Sequence, residues 1–245
     1  MNVLVTGASR GIGRATALLA GARGWNVGVN YVRDASAAEA TVDEVQKAGG
    51  KAMKLKYDIT KESEVEEMFK HHETHFGPLN GVVINAGITA RALPIAEFTT
   101  ERLRKVLDTN IWGSYLCARE ASRRLQASKS DNKNIVFVSS IASKLGSPNE
   151  YVDYAGSKGA IDSLTIGLSK ELAPKGIRVN CVRPGIIKTD IHDYSGVPNR
   201  AEIAGGASPM GRPGEACEVG EAIIWLLSSK ASYVTGTMLD VTGGR

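Results

Sequence analysis

Tyr154 and Lys158 stand four residues apart in the run Tyr154-Ala155-Gly156-Ser157-Lys158. On a helix that spacing places both side chains on one face, one turn apart. A phenol titrates near pH 10, and a neighbouring ammonium favours its ionised form. The pair reads as a proton donor and its tuner, an acid for reducing a carbonyl or a base for oxidising an alcohol. Tyr151 lies a further turn from the same lysine, so Tyr154 is the better placed of the two. The apolar run ending Val138-Ser139-Ser140 precedes Tyr154 by 14 residues. We take Ser140, ahead of Ser139, as a hydroxyl able to bond the reacting oxygen. Alone, a tyrosine and lysine at this spacing also occur on ordinary amphipathic helices; their companions decide.

The first companion is a glycine-rich turn, Thr6-Gly7-Ala8-Ser9-Arg10-Gly11-Ile12-Gly13, between an apolar run and a segment of helical period. Gly7 permits a tight turn, Gly11 lets backbone approach a pyrophosphate at the helix N-terminus, and Gly13 allows close helix–sheet packing. Sites selective for NAD place an acidic residue about 20 positions further on, at the ribose 2′-hydroxyl. Here the second run ends Val29-Asn30-Tyr31-Val32-Arg33, with neutral Asn30 at that position and Arg10 and Arg33 nearby. Two cations suit a 2′-phosphate, so NADP(H) is favoured over NAD(H); the alternative has both arginines solvated and Asp34 serving NAD. Asp58 and Ile59, after the third run, are candidates for the adenine, although a helix cap has the same appearance.

These residues need elements to hold them. Apolar runs at 2–6, 25–30, 51–57, 81–85, 134–139, 178–183 and 237–241 read as strands, and segments of helical period at 11–23, 35–48, 62–75, 100–127, 152–173 and 215–228 read as helices. Continuous runs such as Val82-Val83-Ile84 imply strands buried on both faces. The alternation predicts an α/β fold: a doubly wound parallel Rossmann sheet of seven strands with helices on both faces, its ligand site beyond the carboxyl ends of the strands. One domain over 1–245 is expected, with residues 188–214, which lack clear period, as a substrate lid that includes His192.

Composition excludes much else. The 27 glycines among 245 residues exceed the usual share of about 7%, but they are not periodic. Cys117, Cys181 and Cys217 form an odd set without C-x-x-C spacing, so no disulfide framework or zinc ribbon is expected. The start Met1-Asn2-Val3-Leu4 has no basic leader and no apolar run reaches 18 residues, which points to a cytoplasmic protein with no membrane partner. Net charge is +4 with Lys and Arg spread along the chain, so no nucleic-acid partner is expected. His71, His72 and His75 read as solvated rather than metal-binding, and no metal site is expected. The three cysteines read as small buried hydrophobes, Trp112 and Trp225 as packing residues, and Arg119, Arg123 and Arg124 as a solvated or interface face ahead of a carrier-protein site.

Taken together, these motifs make the chain resemble the short-chain dehydrogenase/reductase family, in its single-domain branch of about this length. The resemblance covers nearly the whole chain, and its ending and the stretch around Tyr151 are similar to glucose-dehydrogenase-like or uncharacterised oxidoreductase members. It maps the family's Asn-Ala-Gly motif to Asn85-Ala86-Gly87, its active-site asparagine to Asn110, and its Pro-Gly segment to Pro184-Gly185, with Ile187 and Thr189 on the nicotinamide carboxamide. It implies catalytic roles for Asn110, Ser140, Tyr154 and Lys158. It also implies a cofactor site of Gly7, Ser9, Arg10, Gly11, Ile12, Gly13, Asn30, Tyr31, Arg33, Asp58, Ile59, Asn85, Ala86, Gly87, Tyr154, Lys158, Pro184, Gly185, Ile187 and Thr189. Ile84 stands where members commonly have a second asparagine, and the Ser140–Tyr154 interval is one residue longer than in many. The implied activity is NADP-dependent interconversion of a secondary alcohol and a carbonyl on a small-molecule substrate, in a homotetramer. The alternatives are a 3-oxoacyl-(acyl carrier protein) reductase and, less favoured, a non-catalytic dinucleotide-binding sensor or scaffold.

Overall fold

A computed structural model of the chain describes residues 1–190 and 199–245. Seven strands pair in parallel: β1 (Asn2–Val5), β2 (Asn26–Tyr31), β3 (Lys51–Lys56), β4 (Gly81–Ile84), β5 (Lys133–Val138), β6 (Ile177–Pro184) and a C-terminal strand (Met238–Val241). A two-stranded ribbon, β7 (Ile187–Lys188) with β8 (Gly214–Glu215), lies between the last two, so the C-terminal strand is β9. The sheet order is β3-β2-β1-β4-β5-β6-β9. The order reverses between β1 and β4, so the loops that leave these two strands part and open a crevice.

Alternation along the central strands divides the core in two. Val3 and Val5 of β1, Val27 and Val29 of β2, and Val136 and Val138 of β5 face α1 (Gly11–Gly21), α2 (Ala35–Lys47) and α9 (Ala216–Leu227). Leu4, Ile135 and Phe137 face the opposite way, against α3 (Glu62–Phe76), α5 (Gly113–Ala127) and α7 (Val152–Leu172). Phe69 and Phe137 are fully buried there; truncating such a ring to alanine costs about 3–5 kcal/mol. The edges depart most from continuous burial, β3 exposing Lys51, Lys54 and Lys56 and β9 being partly exposed throughout.

Three differences from the sequence reading have local causes. The segment read as one helix over 100–127 is α4 (Thr100–Leu107) and α5, joined through a widened π-type turn at Asp108–Trp112. A short helix, α6 (Ala142–Leu145), follows Ser140, and α8 (Arg200–Gly206) stands inside the stretch 188–214 that shows no clear period. With only four and seven residues, neither helix repeats its apolar positions often enough to leave a pattern. Residues 191–198 of the expected lid, His192 among them, lie outside the described residues.

Several side chains also sit differently. His72 is fully buried rather than solvated, filling the space left above Gly28 in β2, where a Cβ would come within 2.5 Å of the imidazole. Burial lowers its pKa to about 4. Cys117 and Cys181 are buried as expected, whereas Cys217 is exposed. Trp112 and Trp225 are also exposed at 51% and 40%, so neither is a core packing residue of the single chain. Among the described residues no helix is long and apolar enough to cross a membrane.

Candidate active site

The loop leaving β1 turns directly into α1. Gly7 and Gly11 adopt φ of 63° and 55°, the left-handed region that glycine enters without strain. Gly13 packs so tightly that a Cβ there would lie 2.4 Å from the Gly7 carbonyl and 2.6 Å from the Asn85 amide nitrogen. Asn85 holds this turn from β4: its Nδ2 donates to the carbonyls of Thr6 and Gly7 at 2.9 and 3.1 Å. The buried Thr6 hydroxyl accepts the N–H groups of Asn85 and Ala86 at 2.9 and 3.0 Å. Thr6 has no distinguishing signal in the sequence, because its role is to bridge two strands that are adjacent only in space. Arg10 precedes α1 without a side-chain cap, and no acidic residue stands in the first turn. Such a helix start leaves N–H groups for an anion.

From this turn a cavity of about 960 Å³ runs along the carboxyl ends of the strands. One end is lined by Arg10, Asn30, Tyr31, Arg33, Asp58 and Ile59; the middle by Gly7, Ser9, Gly11, Ile12, Asn85, Ala86 and Gly87; the far end by Ser140, Tyr154, Lys158, Pro184, Gly185, Ile187 and Thr189. Of the expected site residues only Gly13 and Asn110 are outside the lining. Gly13 lies beneath the turn, and Asn110 lies behind Gly87, where an added Cβ would meet the Asn110 carbonyl oxygen at 3.4 Å and Lys158 Nζ at 3.3 Å.

At the first end, the Asn30 side chain turns inward. Its Oδ1 accepts the Gly7 N–H at 3.1 Å, and its Nδ2 donates to the carbonyls of Leu55 and Tyr57 at 3.2 and 2.9 Å. Asn30 thus braces the glycine turn, and its amide is not free for a ribose. Asp34 is committed too, capping α2 through the Ala37 N–H at 2.9 Å and pairing with Arg10 at 2.9 Å. These bonds, the backbone one foremost, hold its carboxyl below the usual range. Arg10 also lies 3.6 Å from Asp190, while Arg33 is exposed and makes no ion pair among the described residues. Asp58 folds on itself, accepting the Thr60 N–H and hydroxyl at 2.9 and 2.8 Å.

At the other end, Ser140 follows β5 and Tyr154 opens the first turn of α7. Between them the chain doubles back through Gly146, Ser147 and Asn149, all with positive φ. Despite the longer interval, both residues line the same end of the cavity, with the Ser140 hydroxyl neighbouring the Tyr154 phenol. Ser139 points elsewhere, donating to the Lys158 carbonyl at 3.1 Å. Lys158 Nζ donates to the Val138 carbonyl at 2.8 Å and lies 5.5 Å from the Tyr154 ring centroid. Burial lowers its pKa to about 8. The expected downward tuning of the phenol is reversed in this state: burial pushes Tyr154 above its ordinary value, and the neighbouring Ser140 hydroxyl only partly opposes it. A protonated phenol on a serine hydroxyl is a proton donor to an oxygen between them.

Asn110 sits in the widened turn between α4 and α5 and is buried. Its amide brackets Ile88, accepting the N–H at 2.8 Å and donating to the carbonyl at 2.9 Å, and also donates to Ser157 Oγ at 3.0 Å. Ser157 in turn donates to the Tyr154 carbonyl at 2.7 Å. Asp153, unnoticed in the sequence, is clamped by Arg102 through bonds of 2.8 and 3.1 Å, and accepts the Tyr154 N–H at 2.9 Å.

The fold and this cavity define a Rossmann-type oxidoreductase, with an anion-ready glycine turn midway along one groove and a candidate proton donor at its far end. A family model described as Enoyl-(Acyl carrier protein) reductase matches residues 7–245. The "Uncharacterized oxidoreductase YgfF" of Escherichia coli (strain K12) is 51% identical over 243 residues, covering 99% of this chain and 98% of that protein. The "3-oxoacyl-[acyl-carrier-protein] reductase FabG" of Staphylococcus aureus (strain Mu50 / ATCC 700699) is 34% identical, covering 99% and 97%. Among solved structures, the chain is similar to levodione reductase, with a TM-score of 0.91, 29% identity, and coverage of 99% and 96%. The chain belongs to the short-chain dehydrogenase/reductase family, whose members bind an NAD(P) dinucleotide. The residues present fit that group: Gly7 and Gly11, in left-handed backbone, line the groove without side chains, and the uncapped start of α1 suits its pyrophosphate.

Proposed function

We propose that this chain is an NADP(H)-preferring oxidoreductase that interconverts a secondary alcohol and the corresponding carbonyl of a small molecule, as one domain over 1–245 with a substrate lid over 188–214. The observation that carries the reading is that Ser140, Tyr154 and Lys158 line the same groove as the glycine turn, at the end where Pro184, Gly185, Ile187 and Thr189 also stand. The nicotinamide, when bound, supplies the hydride chemistry. Ser140 and Tyr154 hold the substrate oxygen, Tyr154 gives or takes its proton, and Lys158 supports the phenolate with its charge. Asn110 orders the backbone at Ile88 beside them. Pro184, Gly185, Ile187 and Thr189 hold the nicotinamide end; the glycine turn, with Ser9 and Ile12, holds the pyrophosphate. Asn85, Ala86 and Gly87 form the floor, and Asp58, Ile59 and Tyr31 flank the adenosine.

Preference for the phosphorylated cofactor rests first on Arg33, which makes no ion pair among the described residues, and then on Arg10, which would have to share its charge between the phosphate and Asp34, a carboxylate already capping α2. The similarity to carrier-protein reductases favours a second reading, action on acyl thioesters. Against it, the cations once weighed for a carrier protein are taken: Arg119 pairs with Glu62, Arg123 with Glu120, and Arg124 with Glu120 and Glu73. We further place the protein in the cytoplasm, where its unpaired cysteines are at home, and read it as a homotetramer built through the helices of 100–127 and 152–173 and the C-terminal segment. The test is a spectrophotometric screen of sugars, ketones and acyl thioesters with both cofactors. Turnover of a small alcohol or ketone with NADP(H) is expected; preference for acyl thioesters supports the second reading, and preference for NADH overturns the cofactor assignment.

A further inference from the structure

A line of buried and half-buried charges runs behind the catalytic turn of α7. Arg183, the residue before Pro184, donates Nε and Nη2 to Asp162 Oδ2 at 3.0 and 2.8 Å, and both side chains are nearly buried. Its Nη1 lies 3.6 Å from Asp240, the residue that it faces in register on β9. Asp240 also takes Lys144 Nζ at 2.6 Å, from the short helix after Ser140. Four charges of zero sum thus tie together the segments carrying Ser140, Lys158 and Pro184-Gly185. Asp162 stands one turn beyond Lys158 on the same face of α7. Buried ion pairs cost desolvation and often stabilise no better than apolar packing, so this pair is best explained by what its charge does nearby.

Building on the functional reading above, we propose that Asp162, locked in place by Arg183, is a positioning residue for Lys158, keeping its buried ammonium charged and tying its turn to the segment that follows β6. The ionisable groups facing Lys158 are few. Tyr154 and Asp162 come from α7 itself, and Cys181 comes from β6, its thiol pushed up to about 12 by burial and therefore neutral. From β5 the lysine meets the Val138 carbonyl, and the neutral Asn110 amide, from the turn at 108–112, lies with it against Gly87. Arg183 bears on it through Asp162, and Lys144 and Asp240 stand one pair further out. Burial drives Lys158 towards its neutral form, and among the described residues Asp162 is the one formal negative charge opposing this at neutral pH.

The test measures Lys158 directly, in the full-length protein without substrate, by competitive acetylation with acetic anhydride and mass spectrometry from neutral to strongly alkaline pH. In Asp162→Asn the loss of the carboxylate and the unpaired Arg183 act in the same direction, and the Lys158 pKa is expected to fall by about one unit or more. In Asp162→Asn/Arg183→Gln, which leaves no unpaired charge and so keeps the test open if the single variant does not fold, a smaller fall is expected. Arg183→Lys retains both charges and is expected to leave the lysine near its wild-type value even if the melting temperature drops. An unchanged Lys158 titration in the first two variants, with only a lower melting temperature, overturns the proposal and leaves the pair a structural tie. Because the readout uses no turnover, a wild-type protein inactive in the screen would refute the functional reading without touching this result.

Discussion

At the residue scale, the proposed chemistry turns on the hydroxyl of Tyr154, a phenol that burial pushes above its ordinary pKa beside Ser140. Tyr154→Phe is therefore expected to leave NADPH affinity near wild type while turnover falls by at least about 10²–10⁴-fold, the usual contribution of a positioned acid. Cofactor titration by fluorescence, beside steady-state rates, checks both halves; full activity in the variant would refute the mechanism. Tyr154, Lys158 and Ser140 were legible in the sequence because a helical spacing and a strand end are local. Asp153 and Asp162 were not, since their meaning depends on Arg102 and Arg183, which are 51 and 21 residues away. Asn30 marks the same limit: its position after β2 was readable, whereas its inward commitment to Gly7, Leu55 and Tyr57 depends on where those backbones lie.

At the element scale, the glycine turn is a contact between a loop, a helix and the end of β4. A methyl group at Gly13 would collide with the Gly7 carbonyl and the Asn85 amide, neither of which can yield without opening the turn. Gly13→Ala is expected to cost about 1–3 kcal/mol, as overpacking does, and to weaken cofactor binding; thermal melts and cofactor titration measure the two losses, and a variant that binds and melts as wild type would contradict this packing. The two long helices flanking the site show what a pattern can and cannot give. The apolar period over 100–127 continues through the join of α4 and α5, so it does not reveal the widened turn at Asp108–Trp112 that places Asn110 behind Gly87. Likewise α8 escaped detection, yet Arg200 at its start binds Glu150 through both carboxylate oxygens, at 2.9 and 2.6 Å, and so fastens that helix to the loop before Tyr154.

At the scale of the whole molecule, Trp112, Tyr115 and Ile166 lie exposed on the helices of 100–127 and 152–173, and Trp225 and Tyr233 are exposed towards the C-terminal end. Apolar surface of this kind marks association sites. Sedimentation is expected to give a tetramer, and Trp112→Glu a smaller species; a wild-type monomer would contradict the assembly. The seven-stranded parallel sheet with helices on both faces was readable from the sequence. So were the glycine turn, the serine, the tyrosine and the lysine, because each depends on periodicity or on residues close along the chain. Tertiary structure alone decided the inward turn of Asn30, the burial of His72, the exposure of Trp112 and Trp225, and the arginine–aspartate clamps that hold α7. The inward turn depends on β1 and β3 lying beside β2, the burial of His72 on α3 packing over Gly28, and the clamps on α4 and β6 meeting α7, all of them contacts between residues distant in sequence.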